Sequence, residues 1–400
     1  MHQEINTLKN KKILLCVTGS IAAFKVCELI RLLTKQKAQV QVMMTRAAEQ
    51  FVGKATFAAL TNNEVITNLF PDSPKAGLEH IELSLNVDLI VIAPATANIL
   101  SKAANGIADE IVSTTLSACE QPTIFAPAMN YEMWQNPSVM SSVTKLKEMN
   151  KIIINPDTGY LASLHEGEGR LPEINVIMNT IKETLEIKQV LKNKNIIITA
   201  GPTIEPIDPV RFISNHSSGK MGYALADAAC NQGANVTLIS GPVHLKNHPE
   251  SKLIKVTTAN EMMQAFSEVN LQKIDYIFMC AAVSDYTPKN INSKKIKRET
   301  DNLKIECESA PDIIKTIAKK TNATIIAFAL ETENGEQNAQ KKLKNKNADF
   351  IVLNYANEEG AGFNSNTNHV YIYDKNGQSI ELKKDRKDRI AYKILDWVIN

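Results

Sequence analysis

Two polar loops, each following a short apolar run, hold the residues best suited to chemistry in this chain of 400 residues. The first is Pro127-Ala128-Met129-Asn130-Tyr131-Glu132-Met133-Trp134. In it, the amide of Asn130 can donate to a carboxylate without adding a charge. The second is Ile213-Ser214-Asn215-His216-Ser217-Ser218-Gly219-Lys220-Met221-Gly222. Its hydroxyls, glycines and one lysine precede a helical pattern and can cradle phosphate, although the spacing is not that of the G-x-x-x-x-G-K-S/T loop. Two further segments belong with these. Thr18-Gly19-Ser20-Ile21-Ala22-Ala23-Phe24-Lys25 leaves a strand and opens a helix, so its backbone N–H groups can meet a phosphate. It lacks GxGxxG spacing and by itself reads equally well as a tight turn. Ala93-Pro94-Ala95-Thr96-Ala97-Asn98-Ile99 puts small hydroxyl and amide residues at a strand's carboxyl end, where open parallel sheets bind ligands.

The elements that must position these loops alternate. Apolar runs at residues 12–17, 40–44, 89–93, 123–126 and 152–154 predict strands, and residues 21–35 and 109–118 predict helices. Strands rich in Ile, Val and Leu on both faces point to a parallel sheet covered on both sides. After the polar, lysine-containing residues 182–195 the pattern restarts at 196–201, which places a domain boundary near 190. Strands are expected at 235–240, 276–280, 324–329 and 350–353, with a helix at 223–231. A hairpin over 369–373 and 379–382 turns at Asp374-Lys375-Asn376-Gly377, and an amphipathic helix over 386–399 follows. The fold class is α/β, with two doubly wound, mostly parallel-sheet domains over 1–190 and 191–400.

Composition narrows the function class. An apolar fraction of 44% and a charged fraction of 22% are ordinary for a soluble globular protein, and a net charge of +2 gives no reason to expect nucleic-acid or membrane partners. No apolar run approaches membrane-spanning length and Met1-His2-Gln3-Glu4 opens no signal region, so a cytoplasmic location is expected. The six cysteines are scattered without a CxxC pair, which fits reduced, buried thiols and supports neither a disulfide frame nor structural zinc.

With the Pro127–Trp134 loop added to the two turns, residues 10–175 resemble the flavin-containing cysteine decarboxylases. The shared features are the G-S-I-A-A-F-K turn, the P-A-x-A-N loop and the P-x-M-N-x-x-M-W loop. The resemblance implies a flavodoxin-like domain with FMN bound by Gly19, Ser20, Ile21, Thr45, Thr96, Ala97, Asn98 and Ile99. It implies that Asn130 holds the substrate carboxylate and that His80 is the active-site histidine, an imidazole able to accept or orient a proton near neutral pH. Thr96 and Ile99 stand where the family has serine and threonine. The implied chemistry oxidises a C-terminal cysteine thiol, releases CO2 and reduces the resulting enethiol.

One part departs from the pattern. Leu161-Ala162-Ser163-Leu164-His165-Glu166-Gly167-Glu168-Gly169-Arg170 aligns with a flap in which relatives carry a proton-donating cysteine, and here that position is Ser163. A hydroxyl is far less acidic than a thiol near pKa ~8.5. Three readings stay open: the half-reaction stops at the enethiol, His165 or another group supplies the proton, or the domain is a flavin-binding scaffold. Gly167–Arg170 keeps a glycine-rich tail suited to a mobile flap.

Residues 190–400 resemble phosphopantothenate–cysteine ligase. Thr199-Ala200-Gly201-Pro202-Thr203, the Ser214–Gly222 loop, Ala281-Ala282-Val283-Ser284-Asp285-Tyr286, the cluster Lys294-Lys295-Ile296-Lys297-Arg298 and late lysines occur in the family's order. Alone, the basic cluster and the late lysines would read as solvated surface. Ala327 and Leu330 are mild departures from the family pattern. The resemblance implies a Rossmann-like domain that activates 4'-phosphopantothenate with CTP as an acyl-cytidylate, which the amine of L-cysteine then attacks. It places Ala281, Asp285, Lys295, Pro311, Asp312, Ile313, Ile314, Phe328, Lys342 and Lys346 around CTP, makes Asn215 and Lys295 catalytic, and brings Mg2+ to the triphosphate through ligands the sequence does not name.

The two halves in this order resemble the bifunctional enzymes of coenzyme A biosynthesis, a family that implies trimeric flavin domains, dimeric ligase domains and a dodecamer. The rival readings are a ligase carrying a flavin scaffold and an unrelated NAD(P) reductase. The missing GxGxxG and acidic ribose partner argue against the second.

Overall fold

Runs of Ile, Val and Leu form the inner strands of two separate sheets. The computed structural model describes residues 8–70, 86–160, 166–297, 303–358, 362 and 365–400. The chain divides into two units, Met1–Glu186 and Ile187–Asn400.

In the first unit, β1 (Lys12–Val17), β2 (Gln39–Met44), β3 (Leu89–Ala95), β4 (Thr123–Pro127) and β5 (Ile152–Ile153) form a parallel sheet of order β2-β1-β3-β4-β5. Every residue of β3 is buried, because helices cover both faces. Leu15, Val91, Ile30 and Ile177 pack on one side, and Leu14, Ile92, Leu100 and Val143 on the other. A strand buried on both faces reads as a continuous apolar run, which is how it was recognisable. The helix expected over 21–35 is two pieces, a 3-10 turn Ile21–Lys25 and the α-helix Val26–Lys35. The one expected over 109–118 starts at Ile111, because Glu110 is the cap and accepts the N–H groups of Val112 and Ser113. A two-stranded ribbon, β6 (Asp157–Tyr160) and β7 (Glu166–Arg170), completes this unit.

In the second unit, β8 (Asn195–Ala200) leads into two short antiparallel strands, β9 (Ile204–Pro206) and β10 (Phe212–Ser214). Then come β11 (Asn235–Ser240), β12 (Lys252–Lys255) and β13 (Tyr276–Met279). A second ribbon follows, β14 (Tyr286–Pro288) with β15 (Cys307–Ser309). The chain ends with β16 (Thr324–Glu331), β17 (Phe350–Tyr355), β18 (Thr367–Asp374) and β19 (Ser379–Arg386). The main sheet has the order β12-β11-β8-β13-β16-β17-β18-β19, parallel up to β17 and antiparallel beyond it. The Asp374 carboxylate sets the expected hairpin by accepting from the N–H groups of Asn376 and Gln378 at 2.9 and 2.7 Å. The helix expected from 223 begins at Lys220, where Gly219 at φ 75° makes the entry turn.

The six cysteines are free, as expected; Cys16, Cys119 and Cys230 are buried and Cys27 and Cys280 half-buried, but Cys307 is exposed and departs from the buried-thiol pattern. Its strand is a three-residue ribbon edge with no core to enter. No helix among the described residues is long and apolar enough to cross a membrane.

His369 on β18 lies between two carboxylates, its Nδ1 2.5 Å from Glu358 and its Nε2 2.9 Å from Glu381. Burial lowers its pKa, but the two carboxylates outweigh that and leave it above the ordinary value. The imidazolium therefore stabilises the fold fully below about pH 6.5 and loses that contribution as pH rises through the raised folded value. The melting temperature of the second unit should fall over that window, and His369→Gln should flatten the fall in a pH series of thermal melts.

Candidate functional sites

In the first unit, the carboxyl ends of β1, β3 and β4 open into a cavity of about 1090 Å³. Gly19, Ser20, Ile21, Thr45, Thr96, Ala97, Asn98 and Ile99 all line it. Local hydrogen bonds hold these loops. Thr18 Oγ1 donates to Pro94 O at 2.7 Å and accepts the Thr96 N–H at 3.2 Å. Thr96 Oγ1 caps the helix Ala97–Asn105, Ser20 Oγ accepts from Ala22 N–H, and Thr45 Oγ1 accepts from Ala48 N–H. Gly19 lies so close to Ala47 that a Cβ there would stand 2.5 Å from the Ala47 Cβ.

The rim has two characters. Hydroxyls and turn backbone gather on one side, and the exposed apolar side chains of Phe51, Phe70 and Met133 on another. Lys102 and Asp109 pair across 2.7 Å at the edge, and the Lys102 ammonium holds the Asp109 carboxyl below the usual carboxylate range. A group with a flat apolar ring and an anionic tail fits such a lining, and the size is that of a cofactor pocket. The sequence did not single out Arg46, Phe51, Lys102 or Asp109, because they belong to no recognisable motif and reach the cavity only through the fold.

Asn130 caps the helix Tyr131–Gln135 by accepting the Glu132 N–H at 2.9 Å, which fixes its amide orientation. The β6–β7 ribbon docks beside it: Met129 N–H donates to Gly169 O at 2.9 Å. A Cβ on Gly169 would meet Met129 O at 2.3 Å, and one on Gly167 would meet Tyr131 Cβ at 2.7 Å. Those two glycines thus permit the ribbon to lie on the Asn130 loop. Ser163, His165 and His80 lie outside the described residues.

In the second unit the motif loops gather at the carboxyl ends of β8, β13 and β16. Asn215 Nδ2 donates to Ala282 O at 3.1 Å, joining the Ser214–Gly222 loop to the one after β13. Thr199 Oγ1 accepts the Ala281 N–H at 3.1 Å, and Thr203 Oγ1 accepts the Ser284 N–H at 3.0 Å. A second group forms around Lys342, whose Nζ donates to Phe328 O at 2.8 Å. Lys346 pairs with Asp312 at 3.4 Å. Burial and then the Lys346 charge push the Lys342 ammonium below its ordinary pKa, against the pull of Glu331, Asp285 and Asp312. The fold therefore brings Asp285, Asp312, Phe328, Lys342 and Lys346 together. Pro311 precedes the Asp312 cap, while Ile313 and Ile314 send their side chains into the core, leaving the backbone as what they can offer a ligand. Lys295 is exposed, and no hydrogen bond or ion pair joins it to the Lys342 group among the described residues. No cluster of described His, Cys, Asp or Glu residues has the form of a metal site.

Residues 1–186 match the family model described as Flavoprotein, and residues 191–400 the one described as DNA/pantothenate metabolism flavoprotein C-terminal domain. The coenzyme A biosynthesis bifunctional protein CoaBC of Bacillus subtilis (strain 168) is 42% identical over 98% of this chain and 97% of its own length. That of Escherichia coli (strain K12) is 38% identical over 98% of each. Among solved structures, the C-terminal domain of a coenzyme A biosynthesis bifunctional protein CoaBC shares 40% identity over 53% of this chain and 97% of its own, with a TM-score of 0.46. The FMN-dependent cysteine decarboxylase SpaF shares 32% identity over 44% of this chain and 98% of its own, with a TM-score of 0.40. Fold and sites thus define a two-unit α/β flavoprotein. The chain belongs to the family of coenzyme A biosynthesis bifunctional proteins. It is a coenzyme A biosynthesis enzyme that combines decarboxylase and ligase activities.

Because Gly19 packs directly on Ala47, Gly19→Val should distort the cavity wall and lower bound flavin by about tenfold or more, read as visible absorbance per protein; unchanged absorbance would show that this close approach is dispensable.

Proposed function

We propose that residues 191–400 couple 4'-phosphopantothenate to L-cysteine at the expense of CTP, and that residues 1–190 decarboxylate the product with FMN to give 4'-phosphopantetheine. The observation that carries the reading is that Gly19, Thr45 and residues 96–99 line one cavity at the carboxyl ends of parallel strands, while Asn215 meets the loop after β13 and Lys342 meets β16 in the second unit. In the ligase half, the substrate carboxylate attacks the α-phosphate of CTP and pyrophosphate leaves. The amine of cysteine then attacks the acyl carbon and CMP leaves. Lys295, Lys342 and Lys346 offset the triphosphate charge, Mg2+ adding to it when bound. Asp285, residues 311–314 and Phe328 form the nucleotide pocket, beside Ala281. Asn215 polarises the acyl group next to Ala282.

In the first half, Gly19, Ser20, Ile21, Thr45 and residues 96–99 would hold FMN. Bound there, FMN would supply a two-electron acceptor for the cysteinyl thiol and the matching reductant once CO2 has left. Asn130 donates to the departing carboxylate, with its amide fixed by the Glu132 cap. His80 accepts or orients the proton at the thiol. In sequence, Ser163 falls between the two strands of the ribbon on the Asn130 loop, at the position where the resembled family has a cysteine.

Ser163 favours a second reading, in which the first half ends at the enethiol or serves only as a flavin-binding scaffold. A cytoplasmic location fits the described helices, none of which can span a membrane. Trimeric flavin units and dimeric ligase units, together a dodecamer, belong to the same reading.

The test is product analysis by mass spectrometry with 4'-phosphopantothenate, L-cysteine, CTP and Mg2+ on the flavin-loaded enzyme. 4'-Phosphopantetheine is the expected product. Accumulated 4'-phosphopantothenoylcysteine would leave the ligase alone, and an enethiol would leave only the oxidative step. Asn215→Asp and Lys295→Gln should each stop coupling with flavin retained. His80→Asn should stop CO2 release with coupling intact.

A further inference from the structure

Lys294, Lys295 and Lys297 are exposed on the segment that follows β14. That segment is tied down onto the β9–β10 turn. Asn292 N–H donates to Ile207 O at 3.0 Å. Ile296 N–H donates to Asp208 Oδ2 at 3.1 Å, and Arg211 Nη2 donates to Ile296 O at 3.0 Å. The N–H of Ile296 belongs to the peptide plane shared with Lys295, and its C=O to the plane shared with Lys297. Because peptide planes are rigid, holding both groups pins the Cα atoms of Lys295 and Lys297, from which the two lysine side chains branch.

Asp208 is built for this task. Its carboxylate has no exposed surface, a costly place for a charge without partners. Partners are present: Oδ1 accepts the N–H groups of Val210 and Arg211, both at 2.8 Å, and Arg211 Nη1 lies 3.5 Å from Oδ2. Burial raises its pKa, yet the three N–H groups and Arg211 together bring it below the ordinary carboxylate value. It is therefore ionised and acceptor-only at neutral pH. One oxygen shapes its own turn, and the other holds the lysine segment.

We propose that Asp208 is a positioning residue for the ligase reaction, holding the Ile296 peptide so that Lys295 is aimed at the nucleotide charge. This rests on the assignment of Lys295 to the nucleotide site made above. Asp208→Asn separates the two tasks. The amide oxygen can still shape the turn, but the NH2 group faces the Ile296 N–H, donor against donor.

The expected result is a fall in coupling kcat/KM of about tenfold or more in protein that is still folded and binds flavin as the parent does. Trypsin should cut at Lys294, Lys295 and Lys297 faster than in the parent protein. Parent-level coupling in Asp208→Asn while Lys295→Gln is impaired overturns the proposal. Parent-level coupling in Lys295→Gln instead overturns the Lys295 assignment itself, and the positioning role falls with it. If Asp208→Asn does not fold, Asn292→Pro removes the neighbouring tether from the segment side, with the same expected and overturning results.

Discussion

A threonine buried at the end of the first strand ties the site together in each unit. Thr18 joins the end of β1 to the segment leaving β3 through Pro94 O and the Thr96 N–H. Thr199 does the corresponding work between β8 and the segment leaving β13, through the Ala281 N–H. Where parallel strands run out, the ladder ends while the backbone groups are still buried, so a side chain must satisfy them. A short β-branched hydroxyl suits that place, because it fits the pleat and has one donor and two acceptor positions. The neighbouring loops are then in fixed register, and each cavity or cluster follows from that register.

Beyond these ties, the two units solve their charge problems differently. The cavity of the first unit depends on backbone closeness, with Gly19 against Ala47, and the Asn130 loop on Gly167 and Gly169 lying against it. The ligase half depends on placed charges. Lys342 is held partly out of water by a carbonyl and a ring of carboxylates, Lys346 leans on Asp312, and Asp208 is ionised out of contact with solvent. Such groups are costly to assemble and are held in place by the hydrogen bonds and ion pairs just named.

The inner strands were legible because double-sided burial writes itself as unbroken Ile, Val and Leu, as in β3, and the β18–β19 hairpin because Asn-Gly marks its turn, whereas the short edge strand β12, exposed at both ends, was not. The β9–β10 and β14–β15 ribbons were not legible. Three residues per strand are too few for a period to show, and Tyr286, Phe212 and Cys307 are exposed, so no burial pattern marks them. Ser20, Thr96 and Asn130 were marked by their motifs, and each proved to be a helix cap, a role their short polar side chains favour.

The sequence by itself determined two α/β units, their order and the loops that carry chemistry, since these are properties of local pattern and of contiguous motifs. Only the tertiary structure decided which distant residues meet. Arg46, Lys102 and Asp109 join the first cavity, Lys342 reaches across to Phe328, and Asp208 takes hold of Ile296. Asp208 and Ile296 are separated by 88 positions, and no periodicity or spacing encodes a contact at that range. It follows from strand order and register, which are set by the packing of the whole sheet.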